Sequence, residues 1–236
     1  MTINVIYDNN QYDRLCKAGW GFSSLIRIAD RNILFDTGAE GRILLHNMEK
    51  MKIKPQTIDA IFLSHQHWDH TGGLADLLKA NQKADLYVLD SFSKDFIDKL
   101  ELSGRKITRI DHATDIFKDV YSTGPLGEGI EEQSLVAQTE KGLVVICGCA
   151  HPGAVKIAEK AREIIDQDIY LLMGGLHLLE KKNSGIKSVI EQLRDLGVRK
   201  VGPCHCTGYA AIDLFKKGYK RDFLEIGAGR VVSLEE

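Results

Sequence analysis

No stretch of this 236-residue chain is apolar for long enough to cross a bilayer; the longest runs, around 143–149 and 169–179, are short and broken by glycine or histidine. No basic stripe stands out either. Lys and Arg number 31 against 33 Asp and Glu, a formal charge of −2, so electrostatics give no support to binding of nucleic acid or of an anionic membrane. The first residues lack the basic and then apolar pattern of a secretory signal. Cysteines number five, an odd count that argues against a disulfide framework and for a reduced cytoplasmic home. No internal repeat, low-complexity tract or linker divides the chain, and 44% hydrophobic content suffices for a sizeable core, so residues 1–236 are expected to form one domain.

Against that background one stretch is dense in chemistry: Leu63-Ser64-His65-Gln66-His67-Trp68-Asp69-His70-Thr71-Gly72-Gly73. Three histidines and an aspartate fall in six consecutive positions. Imidazole nitrogen with carboxylate oxygen suits zinc, and in other geometries iron or manganese. The apolar run 60–63 before them reads as a short buried strand, in which residues two apart share a face, so His65 and His67 point the same way. Gly72 and Gly73 are expected to permit a sharp turn into the amphipathic stretch 74–79.

The flanking chain reads as strands first and alternating strand and helix later, an α/β pattern. Strands are expected at 2–7, in a hairpin at 22–29 and 32–35, and at 85–89, 106–110, 115–121, 143–146, 169–173, 200–201, 223–226 and 230–233. Helices are expected at 40–51, 92–102, 154–165, 184–196 and about 209–217. Asp36, at the end of its strand, reads as a turn former or as a partner held behind a site. His46 and His112 carry no partner spacing and receive no role. The irregular loop 122–132 either covers a site or is a surface excursion. Histidines stand at four strand exits: His65 with His67, His151, His177 and His205. Strand ends are where α/β folds place their sites. Cys147-x-Cys149 and Cys204-x-Cys206 flank two of these histidines. They read as small buried side chains beside the site, with a separate soft thiolate site as the alternative.

With these residues in order, the chain resembles the metallo-β-lactamase-fold hydrolases. It resembles in particular the branch of 7,8-dihydropterin-6-methyl-4-(β-D-ribofuranosyl)aminobenzene-5′-phosphate synthase-like proteins. The branch motifs are Ser-His-x-His-x-Asp-His-Thr-Gly-Gly, Glu-Gln-Ser-Leu, Gly-Cys-x-His, Gly-Gly-x-His-Leu and His-Cys-Thr-Gly, all present here. The resemblance implies a four-layer αββα sandwich. It implies one or two divalent metal ions, zinc foremost, with His65, His67 and His151 on the first and Asp69, His70 and His205 on the second. Asp36 would orient the histidine ligands from behind. The sequence departs from the family where many members carry a bridging aspartate: here that strand ends Met173-Gly174-Gly175-Leu176-His177, with no carboxylate. His177 is either a ligand or a proton donor facing the substrate.

The implied activity is metal-dependent hydrolysis of an ester-like bond in a small substrate, pterin- or phosphate-bearing by the branch name. A bound divalent ion lowers the pKa of its water to about 7, giving hydroxide at neutral pH, and Asp69 and His177 are the expected catalytic side chains. A phosphodiesterase or nuclease of the same fold and a non-hydrolytic redox or sensor protein are the alternatives. The expected partner is a small molecule, with no nucleic acid and no membrane, and a homo-oligomer is compatible with the sequence.

Overall fold

The computed structural model describes residues 1–234. The chain divides into two compact units, one of residues 1–111 together with those from 227 onward, the other of residues 112–226.

In the first unit, β1 (Thr2–Tyr7), β2 (Ser23–Ile28) and β3 (Arg31–Phe35) pair antiparallel, and the strand Val231–Ser233 adds to the outer side of β1. The β2–β3 turn passes through Ala29 at φ 49°. From β3 onward the sheet changes character. Helix α1 (Gly41–Lys50) leads to β4 (Ala60–Phe62), which lies parallel to β3. Two helices, α2 (Trp68–Thr71) and α3 (Leu74–Ala80), then lead to β5 (Asp85–Leu89), and α4 (Lys94–Glu101) leads to β6 (Ile107–Ile110); both strands continue the parallel run. Parallel neighbours require a crossover, which these helices supply. The apolar spacing of α1 explains its seat: Leu44 and Met48, one turn apart, are both buried. Because β3 and β4 run parallel, Asp36 and the 63–70 segment leave the same edge of the sheet.

The second unit opens as a meander of β7 (Thr114–Phe117), β8 (Val120–Ser122), β9 (Leu135–Thr139) and β10 (Gly142–Cys147), all antiparallel. It continues through α5 (Ala154–Ile164), β11 (Ile169–Gly175), α6 (Asn183–Asp195), β12 (Lys200–Cys204) and α7 (Tyr209–Tyr219). Strands β10, β11 and β12 are parallel neighbours, so their exits share an edge. One core joins the helices to this sheet: Ile157 and Ala161 of α5, Ile186 and Leu193 of α6, and Phe215 of α7 pack with Leu143, Val145, Leu172 and Val201. Each of the larger of these side chains contributes roughly 1.5–3 kcal/mol by leaving water.

Two mixed sheets with crossover helices match the expected α/β class. Two local expectations need correction. Residues 115–121 are not one strand but the hairpin β7–β8, because Asp119 takes a left-handed φ of 62° and turns the chain. Residues 223–226 form no strand: Phe223 makes an isolated bridge to Val201, and the backbone then leaves the sheet. The expected turn at Gly72 and Gly73 is present between α2 and α3, with right-handed φ values of −64° and −77°. Both residues are glycine because a Cβ would fall 2.1 Å from the Ala39 carbonyl oxygen and 2.3 Å from that of Thr37. Among the described residues no helix is long and apolar enough to cross a membrane.

Candidate metal centre

In the first unit, the exits of β3 and β4 bring Asp36, Ser64, His65, His67, Asp69 and His70 together. Asp36 is fully buried in the left-handed region, at φ 52°. Its Oδ1 accepts the Ser64 N–H at 2.8 Å, and its Oδ2 accepts the Ser64 hydroxyl at 2.7 Å and lies 2.7 Å from His70 Nδ1.

These contacts fix the protons by elimination. A carboxylate only accepts, so His70 Nδ1 is the donor, and in the neutral ring that metal ligation requires Nε2 is the unprotonated nitrogen. The Ser64 hydroxyl spends its single proton on Asp36. It therefore accepts from His65 Nδ1, 2.9 Å away, which again leaves Nε2 unprotonated. Histidine ligands are characteristically held in this way, with the second ring nitrogen donating to a carboxylate or hydroxyl. His65 Nε2 then faces His67 Nδ1 at 3.1 Å. Two imidazoles on one tetrahedral zinc, at the usual bond lengths, place their nitrogens about 3.3 Å apart. The donor set and its spacing fit a divalent metal. Asp69 is buried, with Oδ2 3.8 Å from His70 Nε2, whereas Trp68 just before it is 64% exposed.

In the second unit, the exits of β10, β11 and β12 carry His151, His177 and His205. The rings of His151 and His177 lie 4.5 Å apart, centroid to centroid. Ala150, His177 and His205 adopt left-handed φ values of 55°, 50° and 49°. Non-glycine residues persist there only where the surroundings over-determine them, a habit of functional sites. The determinant at β10 is Glu132: its Oε1 accepts the N–H groups of Gly148, Cys149 and Ala150, and its Oε2 that of His151, all at 2.9–3.0 Å. At the β11 and β12 exits Thr207 links the two, accepting the Leu176 N–H at 3.0 Å and donating to the Cys204 carbonyl at 2.6 Å.

The cysteines are free thiols. Cys149, His177 and Cys206 bring their sulfur and nitrogen atoms within 4.8 Å of one another. The hydrogen bond with Cys149, and then that with His177, pulls the Cys206 thiol well below its usual range, against burial. The same Cys206 bond raises His177. Burial pushes Cys147 in the opposite direction, up. Beside His151 and His177 lies a cleft of about 360 Å3, whose lining includes Lys156, Leu178 and Lys181.

The sequence pattern names no role for Ser64, Glu132 or Lys181, and reads Cys149 as a small buried side chain beside the site, with a thiolate site as the alternative. The acceptor role of Ser64 depends on tertiary contacts with Asp36, 28 positions away.

Comparison with known proteins fits this geometry. The model of the metallo-beta-lactamase superfamily matches residues 19–92, which include the histidine–aspartate cluster. A protein of Methanocaldococcus jannaschii, 7,8-dihydropterin-6-methyl-4-(beta-D-ribofuranosyl)-aminobenzene-5′-phosphate synthase, is 30% identical over 90% of this chain and 89% of its own. A crystal structure of a metal-dependent hydrolase of the beta-lactamase superfamily superposes with a TM-score of 0.84 at 27% identity, covering 100% of both chains. Human tRNase Z, short form, shares the fold at a TM-score of 0.60 and 16% identity, again over 100% of both chains. With sequence identity sustained over nine-tenths of its length and a matching architecture, this chain belongs to the metallo-β-lactamase superfamily.

Proposed function

We propose that the protein is a metal-dependent hydrolase acting on an ester-like bond in a small phosphate-bearing substrate, with a pterin as the favoured organic part. Under this reading His65, His67 and His151 hold one divalent ion, most simply zinc, and Asp69, His70 and His205 a second. The observation that carries it is the proton inventory around Asp36 and Ser64, which presents the Nε2 nitrogens of His65 and His70 as ligands. Relatedness to a synthase whose name contains both a pterin and a 5′-phosphate supports the substrate class.

When bound, such ions ionise a coordinated water near neutral pH and polarise the substrate oxygen. The chain's own residues do the rest. Asp36 and Ser64 hold the imidazole rings in one orientation, so that no reorganisation is needed during reaction. Asp69 orients the nucleophile through its carboxylate. His177, exposed at the end of β11, donates a proton to the leaving group. Lys156 and Lys181 in the cleft beside it offer positive charge to a phosphate. The exposed Trp68 ring, next to the ligand histidines, offers a stacking face to a flat heterocycle.

The test is metal content and turnover of His67→Ala and Asp69→Ala against a panel of phosphomonoester, phosphodiester, thioester and lactone substrates. Loss of both properties supports the reading, and retained turnover without metal sinks it. The synthase relative favours a second reading, in which the same residues serve bond formation on a pterin substrate. Product analysis with a dihydropterin and a phosphorylated aromatic amine, offered together and singly, separates the two.

A further inference from the structure

Cys149 stands at the exit of β10, two residues ahead of His151, and is 4% exposed. Its Sγ lies within 4.8 Å of an imidazole nitrogen of His151 and equally within 4.8 Å of one of His205. Those two histidines leave different strands and, in the function proposed above, serve different ions. A sulfur within reach of both stands where one ligand can serve two positions.

The neighbouring backbone explains why a thiol occupies this place. At the end of β11, a Cβ on Gly174 would fall 2.0 Å from the Cys147 carbonyl oxygen. One on Gly175 would fall 2.4 Å from that of Gly148 and 2.7 Å from Cys206 Sγ. No side chain fits at either position, so β11 cannot send a carboxylate into this space. Glu132 cannot serve either, because both its oxygens are engaged by four backbone N–H groups. Cys206 Sγ groups instead with Cys149 and His177, and lies 3.6 Å from the Cys149 carbonyl oxygen.

We propose that Cys149 is a metal ligand of this centre, its thiolate shared between the ions held by His151 and His205. On binding, the thiol gives its proton to solvent and its sulfur lone pairs to the metal. Thiolate is a strong ligand for zinc and, unlike oxygen and nitrogen donors, has a distinct optical signature with cobalt. This inference rests on the function proposed above.

The experiment replaces the native metal with Co(II) and records absorption and cobalt stoichiometry for the full chain. Wild type is expected to show a near-ultraviolet sulfur-to-cobalt charge-transfer band. Cys149→Ser should lose that band and bind cobalt about 10-fold or more weakly, while Cys206→Ala and Cys147→Ala keep the band. Far-ultraviolet circular dichroism establishes that each variant is folded, and Cys149→Ala provides a second test if the serine variant does not fold. Two cobalt ions bound with no band, or a band that survives in Cys149→Ser, overturns the assignment of Cys149 and leaves the proposed function standing. A wild-type protein that takes up no metal overturns both.

Discussion

Oδ2 of Asp36 lies 2.7 Å from Nδ1 of His70, and neither side chain reaches solvent. The same carboxylate takes two hydrogen bonds from Ser64, so one buried group sets the orientation of two imidazoles.

Asp36→Ala should therefore weaken metal binding by about 10- to 100-fold, the range typical of residues that orient ligand histidines. It should also cost about 1–3 kcal/mol of folding stability, since buried donors on Ser64 and His70 lose their acceptor. A chelator competition and a urea titration measure the two effects. Unchanged metal affinity in a folded Asp36→Ala protein would remove Asp36 from the site.

Glu132→Gln keeps the size of the side chain but turns one acceptor oxygen into a donor. That donor would oppose a backbone N–H, either of the 148–150 group or of His151. We expect a loss of about 1–3 kcal/mol and faster amide exchange at 148–151. Hydrogen exchange resolved by residue would show it, and protection equal to wild type would contradict it.

Lys181→Glu places a negative charge in the cleft beside His177. For a phosphate-bearing substrate KM should rise about 10-fold or more, equivalent to about 1.4 kcal/mol of lost attraction, while metal content stays at the wild-type level. Steady-state kinetics against an uncharged ester of the same alcohol is the control. An equal KM change for both substrates would detach Lys181 from phosphate recognition.

Stability should fall at alkaline pH. Burial raises the pKa of Tyr7, Tyr87 and Tyr219. The unfolded chain releases these protons near pH 10 whereas the folded chain retains them, so the stabilisation is complete below about pH 10 and is lost as pH rises through the folded values. Tyr219→Phe should flatten that alkaline decline and change stability at neutral pH by no more than about 1 kcal/mol. Thermal melts at neutral and alkaline pH would decide it; an alkaline limb identical to wild type would exclude Tyr219 as a contributor.

The parts of the fold that could be read from sequence are those governed by local pattern. The β2–β3 hairpin, the apolar runs of β10 and β11, and the helices α5 to α7 follow from period and from turn residues. The β7–β8 hairpin escaped because its turn depends on a left-handed Asp119, which no glycine or proline announces. The histidine–aspartate cluster was legible because four such groups crowd the six positions 65–70. Ser64 and Glu132 were not, since their roles consist of hydrogen bonds to residues 16 to 28 positions away. Gly175 reads in sequence as a missing carboxylate, but in space it is the room needed for a sulfur and a ring.

The parallel run of β10, β11 and β12 sets a scale as well as a direction. Adjacent strands in any sheet are spaced by about 4.8 Å, and donor atoms sharing a cation are separated by a little less. Residues leaving neighbouring strands at one level thus arrive nearly in place, and the short turns at 148–151, 176–177 and 205–207 need supply only the last ångström. Chemistry in such a scaffold can change by exchanging a single side chain at an exit, without any alteration to the sheet that does the measuring.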